Sequence, residues 1–288
     1  MSRNGGPPVI VSRGSQLALW QARWISGQLP GSRIEIVKTT GDRITDAPLP
    51  QIGGKGLFTK EIEEALLDGR GDVAVHSLKD LPTALPPGLV LAATPVREDA
   101  RDAILGMKLA DLPRGARVGT SSPRRAAQLR AVRPDLVIDS LRGNLDTRLR
   151  KLAEGQYGAI VLALAGLKRM GWTDRVAEVL DPEIMCPAVG QGALGIETRE
   201  DGRRLVAFLD HAPTRAAVAA ERAMLEALGG GCQLPMGAYA RLEGDRLRVL
   251  GMVASPDGSR VVRAEVSGSA ADAEAAGREL AARLTRDS

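Results

Sequence analysis

A short apolar run, a turn of serine and arginine, and then an amphipathic helix occur in that order at two separated places in the 288-residue chain. Val9-Ile10-Val11 leads through Ser12-Arg13-Gly14-Ser15 into a helix whose apolar face is read as Leu17, Trp20, Trp24 and Ile25. Arg117-Val118-Gly119 leads through Thr120-Ser121-Ser122-Pro123-Arg124-Arg125 into another. Further strands are predicted at Ile34–Val37, Asp72–Val75, Leu136–Ile138 and Ala159–Leu162, alternating with helices at Leu57–Leu67 and Asn144–Leu152. Strands alternating with helices imply parallel pairing, so the class is α/β. Two such halves predict a cleft served by the carboxyl ends of strands.

The remainder has another rhythm. Ala238–Leu242 and Arg246–Val253 flank Glu243-Gly244-Asp245 as a hairpin, Arg260–Val266 is a third strand, and Ala270–Leu284 is an alanine-rich helix. A small α+β domain is expected there, joined through a linker at His211-Ala212-Pro213-Thr214 and a helix over Arg215–Leu228.

Composition narrows the chemistry. The formal net charge is +4, with the basic residues spread along the chain, and aromatics are only 2%. Base-stacking surfaces need aromatic platforms, so a nucleic-acid partner is not expected. Two cysteines and two histidines are too few for a zinc site of usual spacing, and no metal is expected. The polar start of the chain has no apolar signal-peptide core and no apolar run has spanning length, so the expected compartment is the cytoplasm, without a membrane partner.

Ser15 and Ser122 stand where helix N-caps belong, and Pro123 suits a first helical position. Helix N-termini attract carboxylate or phosphate, and arginine lies beside both. Arg142 and Arg148 follow in the second half, whereas Arg150, Arg175 and Arg203 read as solvated surface charge. A guanidinium fork matches a carboxylate bidentately, so a ligand rich in carboxylates is implied. In Val75-His76-Ser77-Leu78-Lys79-Asp80, the neighbours are too close to converge as a Ser/His/Asp triad. His76 is read there as a structural residue and Asp80 as the candidate for chemistry. Gly190-Gln191-Gly192-Ala193-Leu194-Gly195 fits G-x-G-x-x-G, yet a strand rather than a helix follows it, so the dinucleotide reading is rejected. Cys186 reads as a buried apolar residue, and Cys232, behind Gly229-Gly230-Gly231, as an accessible thiol. Phe58, in a glycine-flanked stretch with Lys55, is balanced between core and lid.

Seven segments, Arg13–Trp20, Gly53–Phe58, Val75–Asp80, Val118–Arg125, Ser140–Asn144, Pro187–Ala193 and Gly230–Pro235, together resemble the porphobilinogen deaminase (hydroxymethylbilane synthase) family in order and spacing. The resemblance implies two α/β domains like type II periplasmic binding proteins and a small α+β third domain. Residues 1–98 with 193–210 would form one half of the cleft, 99–192 the other, and 213–288 the domain carrying the cofactor cysteine. It implies a transferase that adds four porphobilinogen units head to tail, with loss of ammonia, to a dipyrromethane cofactor held by a thioether to Cys232. Water then releases hydroxymethylbilane, a step of tetrapyrrole and heme biosynthesis, and the enzyme acts as a monomer. Asp80 matches the catalytic aspartate. Cofactor binding would fall to Ser77, Lys79, Asp80, Thr120, Ser121, Ser122, Arg124, Arg125, Arg142 and Gly192. Substrate binding would fall to Arg13, Ser15, Arg142, Arg148, Arg169 and Gln191, with Lys55 and Phe58 at a lid. The rival reading is a ligand-binding module on the same scaffold, which fold alone does not exclude.

Overall fold

The computed structural model describes residues 6–43, 56–229 and 235–286. Among them the strands are β1 Val9–Ser12, β2 Arg33–Ile36, β3 Val73–Ser77, β4 Leu89–Ala93, β5 Asp102–Leu105, β6 Arg117–Gly119, β7 Val137–Asp139, β8 Ala159–Ala163, β9 Val176–Val179, β10 Leu194–Arg199, β11 Met236–Glu243, β12 Arg246–Ala254 and β13 Val261–Ser269. The chain divides into two compact units, residues 1–97 with 193–215 and residues 98–192 with 216–288.

The first unit is built on a five-stranded sheet of order β2-β1-β3-β10-β4. β1 pairs in parallel with β2 and β3, while β10 runs antiparallel between β3 and β4. Helix Gln16–Gln28 covers this sheet with Ala18, Gln21, Ala22 and Ile25. That stripe keeps Ile25 of the expected face but replaces Leu17, Trp20 and Trp24, and Trp24 is exposed. Both sets have helical spacing, but the small side chains of Ala18 and Ala22 let the helix lie close to the sheet. Its partners are Ile10, Val73, Val75 and Ile196, all buried. A fully buried valine or isoleucine side chain of this kind contributes about 1.5–3 kcal/mol relative to leaving it exposed.

The second unit contains a five-stranded sheet of order β7-β6-β8-β5-β9, again with parallel pairs around its first strand and one antiparallel strand, β5, in fourth place. The two sheets are therefore topological repeats: β6, β7 and β8 correspond to β1, β2 and β3, and β5 to β10. This is the arrangement expected of two type II periplasmic-binding-protein-like lobes. The second unit also holds the antiparallel sheet β11-β12-β13, covered by helix Ala273–Arg286 through Leu280 and Leu284. Its predicted hairpin turns at Gly244, whose φ of 60° favours glycine.

Three sequence expectations change. β4, β5 and β9 were not foreseen. The helix expected from Leu57 begins at Lys60, after a turn. The expected linker at 211–214 is the start of helix Ala212–Ala227, with His211 Nδ1 accepting from the Thr214 amide at 3.3 Å. Pro213 lacks only an N–H that the first helical turn leaves unpaired in any case.

Candidate active site

In the first unit, the turns that leave β1 and β3 supply one pocket. Arg13, Ser15, Gln21, Phe58, Thr59, His76, Ser77 and Asp80 are among its lining residues. Ser15 caps helix Gln16–Gln28, accepting from the Ala18 amide at 3.3 Å. Arg13 is held by Asp42 through its Nε at 3.1 Å, and its guanidinium lies 4.1 Å from the centre of the Phe58 ring. Burial alone would raise the Asp42 pKa, but bonds from Arg13 and Thr39 outweigh it and hold it below the usual carboxylate range. Phe58 is half-buried on the pocket wall, a setting that fits a cover over Arg13 better than a place in the core.

β3 ends at Ser77, whose hydroxyl accepts from Gln21 Nε2 at 2.9 Å. A single 3₁₀ turn, Leu78–Asp80, then buries Leu78 and exposes Lys79 and Asp80. Among the described residues Asp80 has no hydrogen-bonding or ion-pairing partner. An aspartate that lines the same pocket as Arg13 and the Ser15 cap, yet bonds to neither, is available to a ligand. His76 is buried and bonded to Glu197 at 2.9 Å, in line with its structural reading.

In the second unit, Ser122 caps helix Pro123–Val132 at the carboxyl end of β6, the position Ser15 occupies after β1. The Ser122 amide donates to Thr120 Oγ1 at 3.1 Å, and Ser121 Oγ donates to the Leu141 carbonyl at 2.9 Å. Arg124 and Arg125 are buried rather than displayed: both pair with Asp102, at 2.8 and 2.7 Å. Asp102 is wholly buried; desolvation opposes its charge, and the two guanidinium groups overcome it, holding the carboxyl far below its ordinary range. Gln191 Nε2 donates to the same carboxylate at 2.9 Å. Two guanidinium groups against one carboxylate leave one positive charge in excess.

Arg142 is half-buried, and Arg148 Nε donates to the Gly143 carbonyl at 2.7 Å. Arg169 donates to the Gly192 carbonyl at 2.6 Å, and burial draws its pKa down to about 10, which leaves it charged at neutral pH. Gly192 has φ of 85°, and a Cβ there would stand 2.3 Å from the Glu98 carbonyl oxygen, so a side chain is barred. Arg150, Arg175 and Arg203 are exposed, as expected of surface charge. Cys186 is sealed in the core, and burial pushes its thiol up to about 12, which fits the inert reading. Cys232 and Lys55 lie outside the described residues.

Sequence reasoning missed Gln21, Asp42 and Asp102. Gln21 and Asp102 carried a usable signal: each is a polar residue on a face or strand otherwise apolar, so each needs a partner. Asp42 had none, because its arginine lies 29 residues away.

The described residues include no cluster of three or more His, Cys, Asp or Glu able to hold a metal ion, and no described helix is long and apolar enough to cross a membrane.

Residues 9–207 match the family model described as porphobilinogen deaminase, dipyromethane cofactor binding domain, and residues 215–286 match its C-terminal domain. The porphobilinogen deaminase of Trichlorobacter lovleyi is 54% identical over 286 residues, spanning 96% of this chain and 92% of that one. The enzyme of the same name from Methylobacillus flagellatus is 54% identical over 288 residues, spanning 96% and 93%. Among solved structures, the VFT2 domain of Bordetella pertussis BvgS aligns with a TM-score of 0.40 at 15% identity, over 71% of this chain and 84% of that one, a likeness too remote to carry an argument. The family models and the near-full-length relatives agree, and the chain belongs to the porphobilinogen deaminase family.

Proposed function

We propose that this chain joins four porphobilinogen molecules head to tail on a dipyrromethane bound by thioether to Cys232, loses ammonia at each addition, and releases hydroxymethylbilane by hydrolysis. The observation that carries the catalytic assignment is the Asp80 carboxylate, without a partner among the described residues, in the pocket that Arg13 and Ser15 also line. The substrate's aminomethyl group, with a pKa of about 10.4 if it resembles lysine, is protonated near neutral pH and needs little acid help to leave as ammonia. Cationic charge then develops on the pyrrole, and a fixed carboxylate stabilises it.

Each pyrrole ring of substrate or cofactor carries an acetate and a propionate. Arg13 and Ser15 would take substrate carboxylate, with Arg142, Arg148, Arg169 and Gln191 as further substrate contacts. The donor set of the second unit fits a dipyrromethane: a capped helix N-terminus, the hydroxyls of Thr120, Ser121 and Ser122, and a buried group with one positive charge in excess. Arg124, Arg125 and Arg142 would hold its carboxylates, Ser77 and Lys79 would be further donors, Asp80 would accept only from its pyrrole N–H groups, and Gly192 would admit close backbone approach. Each charge-assisted bond would contribute about 1.5–3 kcal/mol net. When bound, the dipyrromethane supplies the pyrrole end on which the chain grows. Phe58 and Lys55 would close over the substrate.

The reading includes three domains, 1–98 with 193–210, 99–192 and 213–288, and a monomer working in the cytoplasm without nucleic acid. Dispersed basic residues and scarce aromatics support the last point.

The deciding experiment is the denatured intact mass of the protein and of Cys232→Ser, before and after incubation with porphobilinogen. The expected result is an excess of two pyrrole units on the parent and none on the variant. Continued absence of any adduct on the parent would leave a ligand-binding module as the better reading.

A further inference from the structure

In the second unit, helix Pro123–Val132, the loop after β9 and the third sheet meet at one amide side chain. Gln128 is fully buried on that helix, one turn after Arg124. Its Oε1 accepts from the Cys186 amide at 2.8 Å and from Arg263 Nη2 at 3.1 Å. Its Nε2 donates to the carbonyls of Arg124 and Cys186, both at 3.2 Å. One side chain thus grips Cys186 by its amide and by its carbonyl. Moving either group away would leave a buried donor or acceptor unmet, so the arrangement resists displacement.

The Cys186 carbonyl in turn holds Arg124. It accepts from Arg124 Nη1 at 2.5 Å, and Asp102 Oδ2 lies 2.8 Å from the same nitrogen. Arg124 Nη2 makes no hydrogen bond among the described residues. A guanidinium is planar, so fixing Nη1 between two acceptors also fixes where Nη2 points. The hold extends into the third sheet. Arg263, half-buried on β13, donates to the Ile184 carbonyl at 3.2 Å as well as to Gln128, and has no carboxylate partner among the described residues. The Pro187 carbonyl accepts from the Ala238 amide of β11 at 3.0 Å. A Cβ on Gly237 would stand 2.7 Å from that oxygen, so glycine is what lets β11 lie so close to the loop.

We infer that Gln128, itself held by Arg263 of the third sheet, is a positioning residue that sets the Arg124 guanidinium for a carboxylate of the dipyrromethane. The inference rests on Arg124 being a ligand of that cofactor. Ordering a long, flexible arginine before its ligand arrives removes a cost that binding would otherwise carry. The same contacts make the third sheet a determinant of the cofactor's seat through Arg263, a residue that need not touch the cofactor at all.

The test compares Gln128→Glu and Arg263→Met with the parent holoenzyme, with Arg133→Gln as the control. Glutamate keeps the volume and the acceptor facing Arg263, but turns the donor facing the Cys186 carbonyl into an oxygen. Arg133 ties the far end of the same helix to the carbonyls of Leu109 and Leu112 and bonds neither Gln128 nor Cys186. Denatured intact mass gives the fraction of each protein that carries two pyrrole units, and kcat is taken per loaded molecule. Gln128→Glu should lower the loaded fraction and reduce kcat by up to about 100-fold, and Arg263→Met should act in the same direction by about tenfold. KM for porphobilinogen should not move, because none of the substrate contacts named above bonds Gln128. The double variant should lose no more than Gln128→Glu alone, since Arg263 acts through Gln128. The control should lose melting temperature while keeping parental loading and kcat. Parental loading and kcat in both test variants would overturn the inference, as would an equal loss in the control or a change confined to KM. If Gln128→Glu fails to fold, Arg263→Met decides; failure of both to fold would overturn the inference, because the contacts would then serve the fold alone. A parent that gains no pyrrole from porphobilinogen would instead sink the functional reading.

Discussion

The two five-stranded sheets share one topology, and arginine follows both β1 and β6, yet other corresponding strand ends differ in charge. After β3 the first unit places Lys79 and Asp80; after β8, its counterpart, the second places Lys168 and Arg169. Past β2 comes Asp42, past β7 comes Arg142. Asp80 of the first unit is exposed and, among the described residues, unpartnered, whereas the second unit encloses Asp102 between two arginines. One repeated scaffold thus carries an open aspartate in one copy and an enclosed one in the other.

That contrast is sharpest in what each aspartate supports. Asp102→Ala should cost about 3–5 kcal/mol in urea unfolding, because it leaves two buried guanidinium groups uncompensated. A loss no greater than that of Asp80→Ala would erase the distinction. Asp80→Glu should lower kcat about 100-fold by misplacing the charge, while unfolding stability stays within about 0.5 kcal/mol. Full turnover by this variant would refute the positioning argument. Ser15→Ala and Ser122→Ala should each cost about 1 kcal/mol, measured by the same unfolding, since both caps do the same work in the two repeats. Asp42, whose carboxyl is held below its ordinary 3.8, contributes stability above that value that is lost as pH falls through the depressed one. The smallest expected effect is therefore a modest loss of melting temperature in Asp42→Asn at neutral pH, with a shallower acid limb that converges on the parent as pH falls below the depressed value.

What the sequence discloses divides along the same physical line as local and long-range structure. Ser15 and Ser122 were readable as caps because a cap is a bond between residues three apart. The structural role of His76 followed from crowding along a single strand. The buried face of the first helix was not, since Trp20 and Trp24 outweigh Ala18 and Ala22 in any hydrophobic count although the sheet admits the smaller pair. β5 escaped notice because its four residues open on Asp102, and a charge argues against a buried strand unless its partners, 22 and 23 residues on, are known. The family's motifs carried the activity, while the Arg13–Asp42 and His76–Glu197 contacts span distances no local pattern encodes.

The place of β10 has a consequence for how the protein is made. It lies inside the first sheet, between β3 and β4, but leaves the ribosome only after every strand of the second sheet. Until then the nascent first lobe is missing a central strand and exposes the edges of β3 and β4, a surface prone to misassociation. Its completion waits on long-range closure, which is slow, so a chaperone or a slowed translation step is most useful while residues 99–192 emerge.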